Sequence, residues 1–243
     1  MIRALLVLVF LLPYTLLASL LGYGAARLVG SPTLLYGLGR LGIRVALFLA
    51  GTRIVVEGRH LIGDHRNTVM VANHVSHLDA PVLLQSLGVD FRAVAKKEVF
   101  HIPVFNSVLR FAGFIEVDRA DRAQATRAIA RAVDALKGGA CFLIFPEGTR
   151  SRTGDLGPFK KGGFVVAVDA GSRIVPVALQ GTRELMPRGG FRIRPGTVRV
   201  RVLDPVSVES YSYGDRDALI ADVRGRIAAA LAGGRPPREE TPG

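Results

Sequence analysis

Residues 4 to 21 are almost wholly apolar, interrupted only by Pro13, Tyr14, Thr15 and Ser19. A second apolar run extends from Leu34 to Ala50 and carries Arg40 and Arg44. No acidic residue precedes Glu57, and Arg3, Arg27, Arg40, Arg44 and Arg53 are the only charged side chains before it. Three readings compete. Arg3 ahead of an apolar core, with Gly22, Gly24 and Ala25 behind it, has the form of a cleaved leader. The first run alone approaches the roughly 20 apolar residues a spanning helix needs. Alternatively, both runs form a helical pair dipping into one leaflet, with arginines reaching for lipid phosphates. The second run is too broken by arginine to span comfortably. Its presence, and the lack of disulfide chemistry, favour anchoring over cleavage. We therefore expect residues 1–52 to be a membrane-associating helical segment.

From residue 53 the pattern changes to short runs rich in β-branched residues, alternating with helical spacing. Strands are predicted at Arg53–Glu57, Thr68–Ala72, Phe91–Ala95, Phe114–Val117, Ala140–Phe145, Arg173–Leu179 and Val198–Leu203. Several are continuously apolar, as buried strands of an α/β sheet are. Helices are predicted at Ala80–Leu87, Arg122–Lys137, Gly162–Ala170 and Asp215–Leu231. In the second of these, Ala125, Ile129, Val133 and Leu136 share one face, and Gly138-Gly139 ends it. The alternation argues for one α/β domain over 53–232. The Gly-, Pro- and charge-rich stretch Gly233–Gly243 is expected to be disordered. Pro176 inside a strand implies an edge or a bulge. The run Gly37 to Gly42 matches G-x-G-x-x-G, but it follows no predicted strand and is read as a chance match.

Charge changes the picture in one respect. The formal net charge is +12, mostly from arginine, since only Lys96, Lys97, Lys137, Lys160 and Lys161 are lysines. An anionic partner follows, either a bilayer or a phosphorylated substrate, unless the charge merely serves solubility. Nucleic acid is disfavoured, because the arginines are dispersed and Trp is absent. One cysteine, Cys141, lies within a predicted strand, so neither a disulfide framework nor a Cys-based zinc site is available within the chain. A single thiol also fits a reducing compartment.

Two segments carry candidate chemistry. His74 follows a predicted strand, where open α/β sheets usually place their sites. Asp79 lies five residues on, within reach of the imidazole across a turn, where it would fix the ring tautomer. The competing reading is that Ser76-His77-Leu78-Asp79 is a helix-start pattern and Asp79 only a cap. The chain has no G-x-S-x-G elbow, H-E-x-x-H pair or Walker A loop. The simplest role for His74 is then deprotonation of a substrate hydroxyl, without a covalent enzyme intermediate. The second segment is Phe145-Pro146-Glu147-Gly148-Thr149-Arg150-Ser151, a tight turn after the most apolar strand. Its backbone N–H groups, Thr149 and Arg150 suit a phosphate, and Glu147 would orient Arg150 or a substrate hydroxyl. The plain alternative is an exposed turn with solvated arginines. Gly113 to Arg119, the basic turn Phe159-Lys160-Lys161-Gly162-Gly163 and Ile174-Val175-Pro176-Val177 are weaker signals.

In order and spacing, these blocks resemble the 1-acyl-glycerol-3-phosphate acyltransferase family of glycerolipid acyltransferases. Asn73-His74 through Asp79 resembles its H-x4-D block, Gly113–Arg119 its second, Phe145–Ser151 its third and Val175-Pro176-Val177 its fourth. Glu116 departs from the family, standing where an apolar residue is commoner. The resemblance implies an α/β fold with a mixed, mostly parallel sheet flanked by helices, and an acyltransferase domain over 53–232. It implies that His74 is the general base and Asp79 its partner. Arg119, Glu147, Gly148, Thr149 and Arg150, with Lys96, would contact the acceptor's glycerol phosphate. The expected reaction moves a fatty acyl chain from acyl-CoA or acyl carrier protein to a lysophospholipid hydroxyl, making phosphatidic acid at the cytoplasmic face of the cell membrane. The bilayer is the further expected partner, and no metal or redox cofactor is implied. Rival expectations are another acceptor (glycerol 3-phosphate, a different lysophospholipid or a lyso-aminolipid) and a non-catalytic cationic binding protein.

Overall fold

A computed structural model describes residues 2–101, 105–118, 121–187, 189, 192–211 and 213–233. The expected disordered tail lies outside them except for Gly233. Two helices come first, α1 (Ile2–Val29) and α2 (Thr33–Ala50), packed along each other. Helix α1 is apolar around its circumference, and only 11% of its most apolar stretch is buried. Leu5, Leu12, Leu16 and Leu20 are all more than half exposed. At 1.5 Å per residue it is roughly 40 Å long; by length and composition alone α2 also meets the requirement for crossing a membrane, despite its two arginines. Helix α2 turns a face to the rest of the chain. The Arg40 guanidinium pairs with Asp90, and the Tyr36 hydroxyl donates to the carbonyls of Phe91 and Ala112. The expectation that arginines of this segment reach lipid phosphates is therefore corrected for Arg40, which turns inward to a carboxylate.

The remaining strands are β1 (Thr52–Glu57), β2 (Thr68–Ala72), β3 (Phe91–Arg92), β4 (Val94–Lys96), β5 (Ile115–Val117), β6 (Cys141–Ile144), β7 (Arg173–Gln180) and β8 (Gly196–Val202). Six form one sheet in the order β1-β8-β7-β2-β6-β3, and β4 pairs with β5 in a small second sheet. In the larger sheet every pairing is parallel except β7 with β8. This is the mixed, mostly parallel sheet expected. The further helices are α3 (Asp79–Leu87), α4 (Phe105–Phe111), α5 (Arg122–Lys137), α6 (Gly162–Asp169), the short α7 (Thr182–Leu185) and α8 (Arg216–Ala232); α4 packs on α1.

Strand alternation builds both halves of the core. Val69, Val71, Phe142 and Ile174 face α5, α6 and α8, whereas Met70, Ala72, Leu143, Val175 and Val177 face α3 and α2. A strand buried on both faces has no polar positions, which explains the unbroken apolar runs. One local expectation is revised and another is resolved. The predicted strand Phe91–Ala95 is two strands in different sheets, parting at Ala93. Pro176 lies in a strand flanked on both sides, not at an edge. Val177 pairs with Val202 but Ile174 bridges Val206, so residues 175–176 oppose 203–205. Pro176 thus sits opposite a bulge whose extra residue lies in 203–205, and its missing N–H breaks no ladder bond.

Candidate active site

Strands β7, β2 and β6 are parallel neighbours, so their C-terminal ends emerge side by side. The chain leaves β2 through Asn73-His74, β6 through Phe145-Pro146-Glu147, and β7 through Gly181-Thr182. Residues distant in sequence therefore meet at one sheet end. The side-chain amide of Asn73 fastens the first exit. It donates to the Leu179 carbonyl at 3.0 Å and accepts from the Leu179 N–H at 2.8 Å, acting as one more residue of the parallel ladder.

His74 and Asp79 are in direct contact. The Asp79 carboxylate is fully buried, and its Oδ2 lies 2.7 Å from His74 Nδ1. The same oxygen accepts the backbone N–H groups of Val75 at 2.7 Å and Ser76 at 2.8 Å, while Oδ1 accepts the Thr182 hydroxyl at 2.6 Å. Asp79 is the first residue of α3, but its bonds run backwards into the turn rather than forwards to the helix's open N–H groups. The helix-cap reading is thereby answered by geometry. The carboxylate is held in one orientation by these N–H and O–H donors. It orients imidazole with its proton on Nδ1 and its lone pair on Nε2. The ring stacks on Phe145, centroids 4.1 Å apart and planes 16° apart, which fixes its tilt.

Glu147 is 7% exposed, and both of its oxygens are engaged by the chain itself. Oε1 accepts the backbone N–H of His74 at 2.7 Å, and Oε2 accepts that of Gly157 at 3.0 Å. The Ser151 N–H donates to the His74 carbonyl at 2.8 Å, closing the turn onto the histidine from its other side. Gly148 has φ +72, a conformation open mainly to glycine, and the Lys160 side chain lies close against it. Lys160 is held beside the turn by its N–H, 2.8 Å from the Pro146 carbonyl.

A cavity of about 460 Å³ opens beside His74. Thr149, Arg150 and Lys160 line it together with His74, and its body is apolar, walled by Val117, Phe142, Ile144 and Val166. Three alanines of α5, Ala125, Ala128 and Ala132, face this space, and their small side chains leave it unfilled. Of the residues the sequence proposed, His74, Gly148, Thr149 and Arg150 share this cavity, and Asp79 and Glu147 support it from behind. Lys96 ends β4, is paired with Glu98 at 3.3 Å, and is not among the cavity's lining residues. Arg119 lies outside the described residues; Val117, two positions earlier, lines the cavity. His77 is held below the usual histidine range, first by desolvation and then by the Arg150 charge, so it adds no cation to the site near neutral pH. Cys141 is buried in β6, and burial pushes its thiol up to about 12, as befits a structural residue.

A family model described as Acyltransferase matches residues 53–180, more than half of the chain. The chain belongs to the acyltransferase family. Every element of this site except the β7 exit loop falls within the matched span. Among its relatives, this acyltransferase-family chain is 37% identical over 182 residues to a chloroplastic 1-acyl-sn-glycerol-3-phosphate acyltransferase of Arabidopsis thaliana, covering 74% of the chain. It is 31% identical to a 1-acyl-sn-glycerol-3-phosphate acyltransferase of Borreliella burgdorferi, covering 79% of the chain and 77% of that protein. It also resembles the crystal structure of the 1-acyl-sn-glycerophosphate (LPA) acyltransferase PlsC from Thermotoga maritima. There the TM-score is 0.79 at 27% identity, covering 96% of this chain and 98% of that one. The chain spans about half the length of the Arabidopsis and Brassica napus relatives, 49% and 46% of them.

Sequence reasoning missed Asn73 as an anchor, Thr182 as a partner of Asp79 and Lys160 as a cavity residue. Lys160 had a signal, being part of a basic turn. Thr182 had none, because nothing local marks a threonine that meets an aspartate 103 positions away.

Proposed function

We propose that this chain transfers a fatty acyl group from a thioester, acyl-CoA or acyl carrier protein, to the free hydroxyl of 1-acyl-sn-glycerol 3-phosphate, forming phosphatidic acid. One observation carries the reading: a buried carboxylate orients His74 in the wall of a cavity that is lined by Arg150 and Lys160 as well as by apolar side chains. His74 Nε2 takes the hydroxyl proton as the oxygen attacks the thioester carbonyl. The tetrahedral intermediate then expels the thiolate, which recovers that proton from the imidazolium. Asp79 stabilises the imidazolium between these steps. The apolar part of the cavity receives the acyl chain, and Thr149, Arg150 and Lys160 in its wall receive a phosphate. Glu147, with both oxygens bound to backbone, positions His74. No metal or redox cofactor has a part in this scheme.

The exposed leucines of α1 and the +12 charge support anchoring at an anionic bilayer, which we assign to the cytoplasmic face. We keep residues 1–52 as the anchoring segment and 53–232 as the catalytic domain. The test is an acceptor panel in phospholipid vesicles with acyl-CoA and acyl carrier protein donors, products identified by mass. Phosphatidic acid from the lysophosphatidic acid arm, abolished in folded His74→Ala protein, is the expected result. Preference for glycerol 3-phosphate or a neutral lysolipid would replace the acceptor assignment. Near-normal turnover by His74→Ala would overturn the mechanism.

A further inference from the structure

The Asp79 carboxylate draws its donors from two sources. His74 Nδ1 and the N–H groups of Val75 and Ser76 all bind Oδ2 and all come from the same short turn. Oδ1 has a different partner, the Thr182 hydroxyl at 2.6 Å, and both residues are fully buried. The fold brings Thr182 there through strand pairing. Ala72 at the end of β2 is in register with Val177 of β7, so the two exits run together. At Gly181, φ is +96 and a side chain would come within 2.3 Å of the Thr197 carbonyl, so the chain turns tightly and presents Thr182 first. Two further bonds tie the same segments, Asn73 with Leu179 and the Ser76 hydroxyl with the Met186 carbonyl at 2.8 Å.

We propose that Thr182 is a positioning residue for the reaction, acting through Asp79. A carboxylate turns readily about its last torsion, because that well is broad and two-fold. Donors on Oδ2 alone leave the other oxygen free to swing. The Thr182 hydroxyl pins Oδ1, and so holds Oδ2 in line with His74 Nδ1. The same bond satisfies a carboxylate oxygen that is shut off from water. Without it, Asp79 gains by rotating towards other donors, and the imidazole loses the partner that sets its tautomer. The inference rests on His74 acting as the base.

The test uses the full chain in vesicles, with Thr182→Val, Thr182→Ser and Thr182→Cys beside His74→Ala. Valine keeps the shape and removes the hydroxyl, serine keeps the hydroxyl, and cysteine offers only a weak donor. We expect Thr182→Val to lose roughly ten- to hundredfold in kcat, the range for losing one hydrogen bond to a charge. The KM values for both substrates should stay within about twofold, because the residue touches neither. Thr182→Ser should retain near-normal kcat and Thr182→Cys should fall between. If valine prevents folding, the serine–cysteine difference gives the same reading. An inactive His74→Ala beside a Thr182→Val of undiminished kcat overturns the positioning role alone. So does a Thr182→Ser as impaired as the valine. An active His74→Ala means that the underlying mechanism has failed, whatever Thr182 does.

Discussion

Glu147→Gln separates two roles for the turn after β6. The sequence motif assigns Glu147 to the acceptor's glycerol phosphate, whereas the structure gives its oxygens to the N–H groups of His74 and Gly157, at 2.7 and 3.0 Å. Glutamine keeps the length of the side chain but has one carbonyl oxygen and one NH2. It can accept one of the two N–H groups and must oppose the other with a donor. The loss is one charge-assisted bond in a site only 7% exposed, roughly 2–3 kcal/mol including the buried N–H left unpaired. If all of it appeared at the histidine, the rate would fall about 30- to 150-fold, since 1.36 kcal/mol is tenfold. Some of it will appear as a lower Tm instead. The expected pattern is therefore a reduced kcat with a measurable drop in Tm, and an acceptor KM within about threefold of the parent. Steady-state kinetics at saturating donor and a thermal melt measure these together. An acceptor KM raised tenfold or more at unchanged kcat and Tm would refute the positioning argument and return Glu147 to the substrate.

Replacing Ala128 or Ala132 on α5 by leucine should shift the donor preference towards shorter acyl chains. Each methylene excluded from the cavity should cost about 0.8 kcal/mol, close to fourfold; a competition assay with mixed chain lengths reads it, and an unmoved profile in folded protein contradicts the cavity's assignment. Leu12→Asp with Leu16→Asp, both on the exposed side of α1, should lower sedimentation with anionic vesicles at least tenfold, because each acidic group costs about 2.5–3.5 kcal/mol in hydrocarbon. Undiminished sedimentation would mean that α1 is not the contact. Burial raises the Cys141 thiol from 9.0 to about 12, so the unfolded chain gives up this proton before the folded one does. Its contribution to stability should be complete below about pH 9 and decline as pH rises towards 12. Cys141→Ser melts across that window should show a flatter alkaline decline than the parent, and the native thiol should resist alkylation at pH 8.

Which features were legible in the sequence follows from how far each signal travels along the chain. The strands of the main sheet were readable because a strand buried on both faces is apolar at every position, as Val69 to Ala72 are. The parting of β3 from β4 was not, since nothing in Phe91–Lys96 says that its two halves will pair with different partners, β6 and β5. Pro176 announced a bulge or an edge by chemistry alone, but only the offset between Val177–Val202 and Ile174–Val206 decides between them. The same division runs through the site. His74 and Asp79 could be paired on sequence because five residues of turn suffice to join them, although a helix cap fitted the spacing equally well. What excludes the cap is the direction of the Asp79 bonds, and the Thr182 bond fixes that direction from across the sheet. A sequence motif thus names the groups we propose to react, while the bonds that hold them in register come from strands whose pairing it does not encode. Substitutions at Asn73, Glu147 and Thr182 should therefore impair turnover through geometry, with the reacting groups themselves intact.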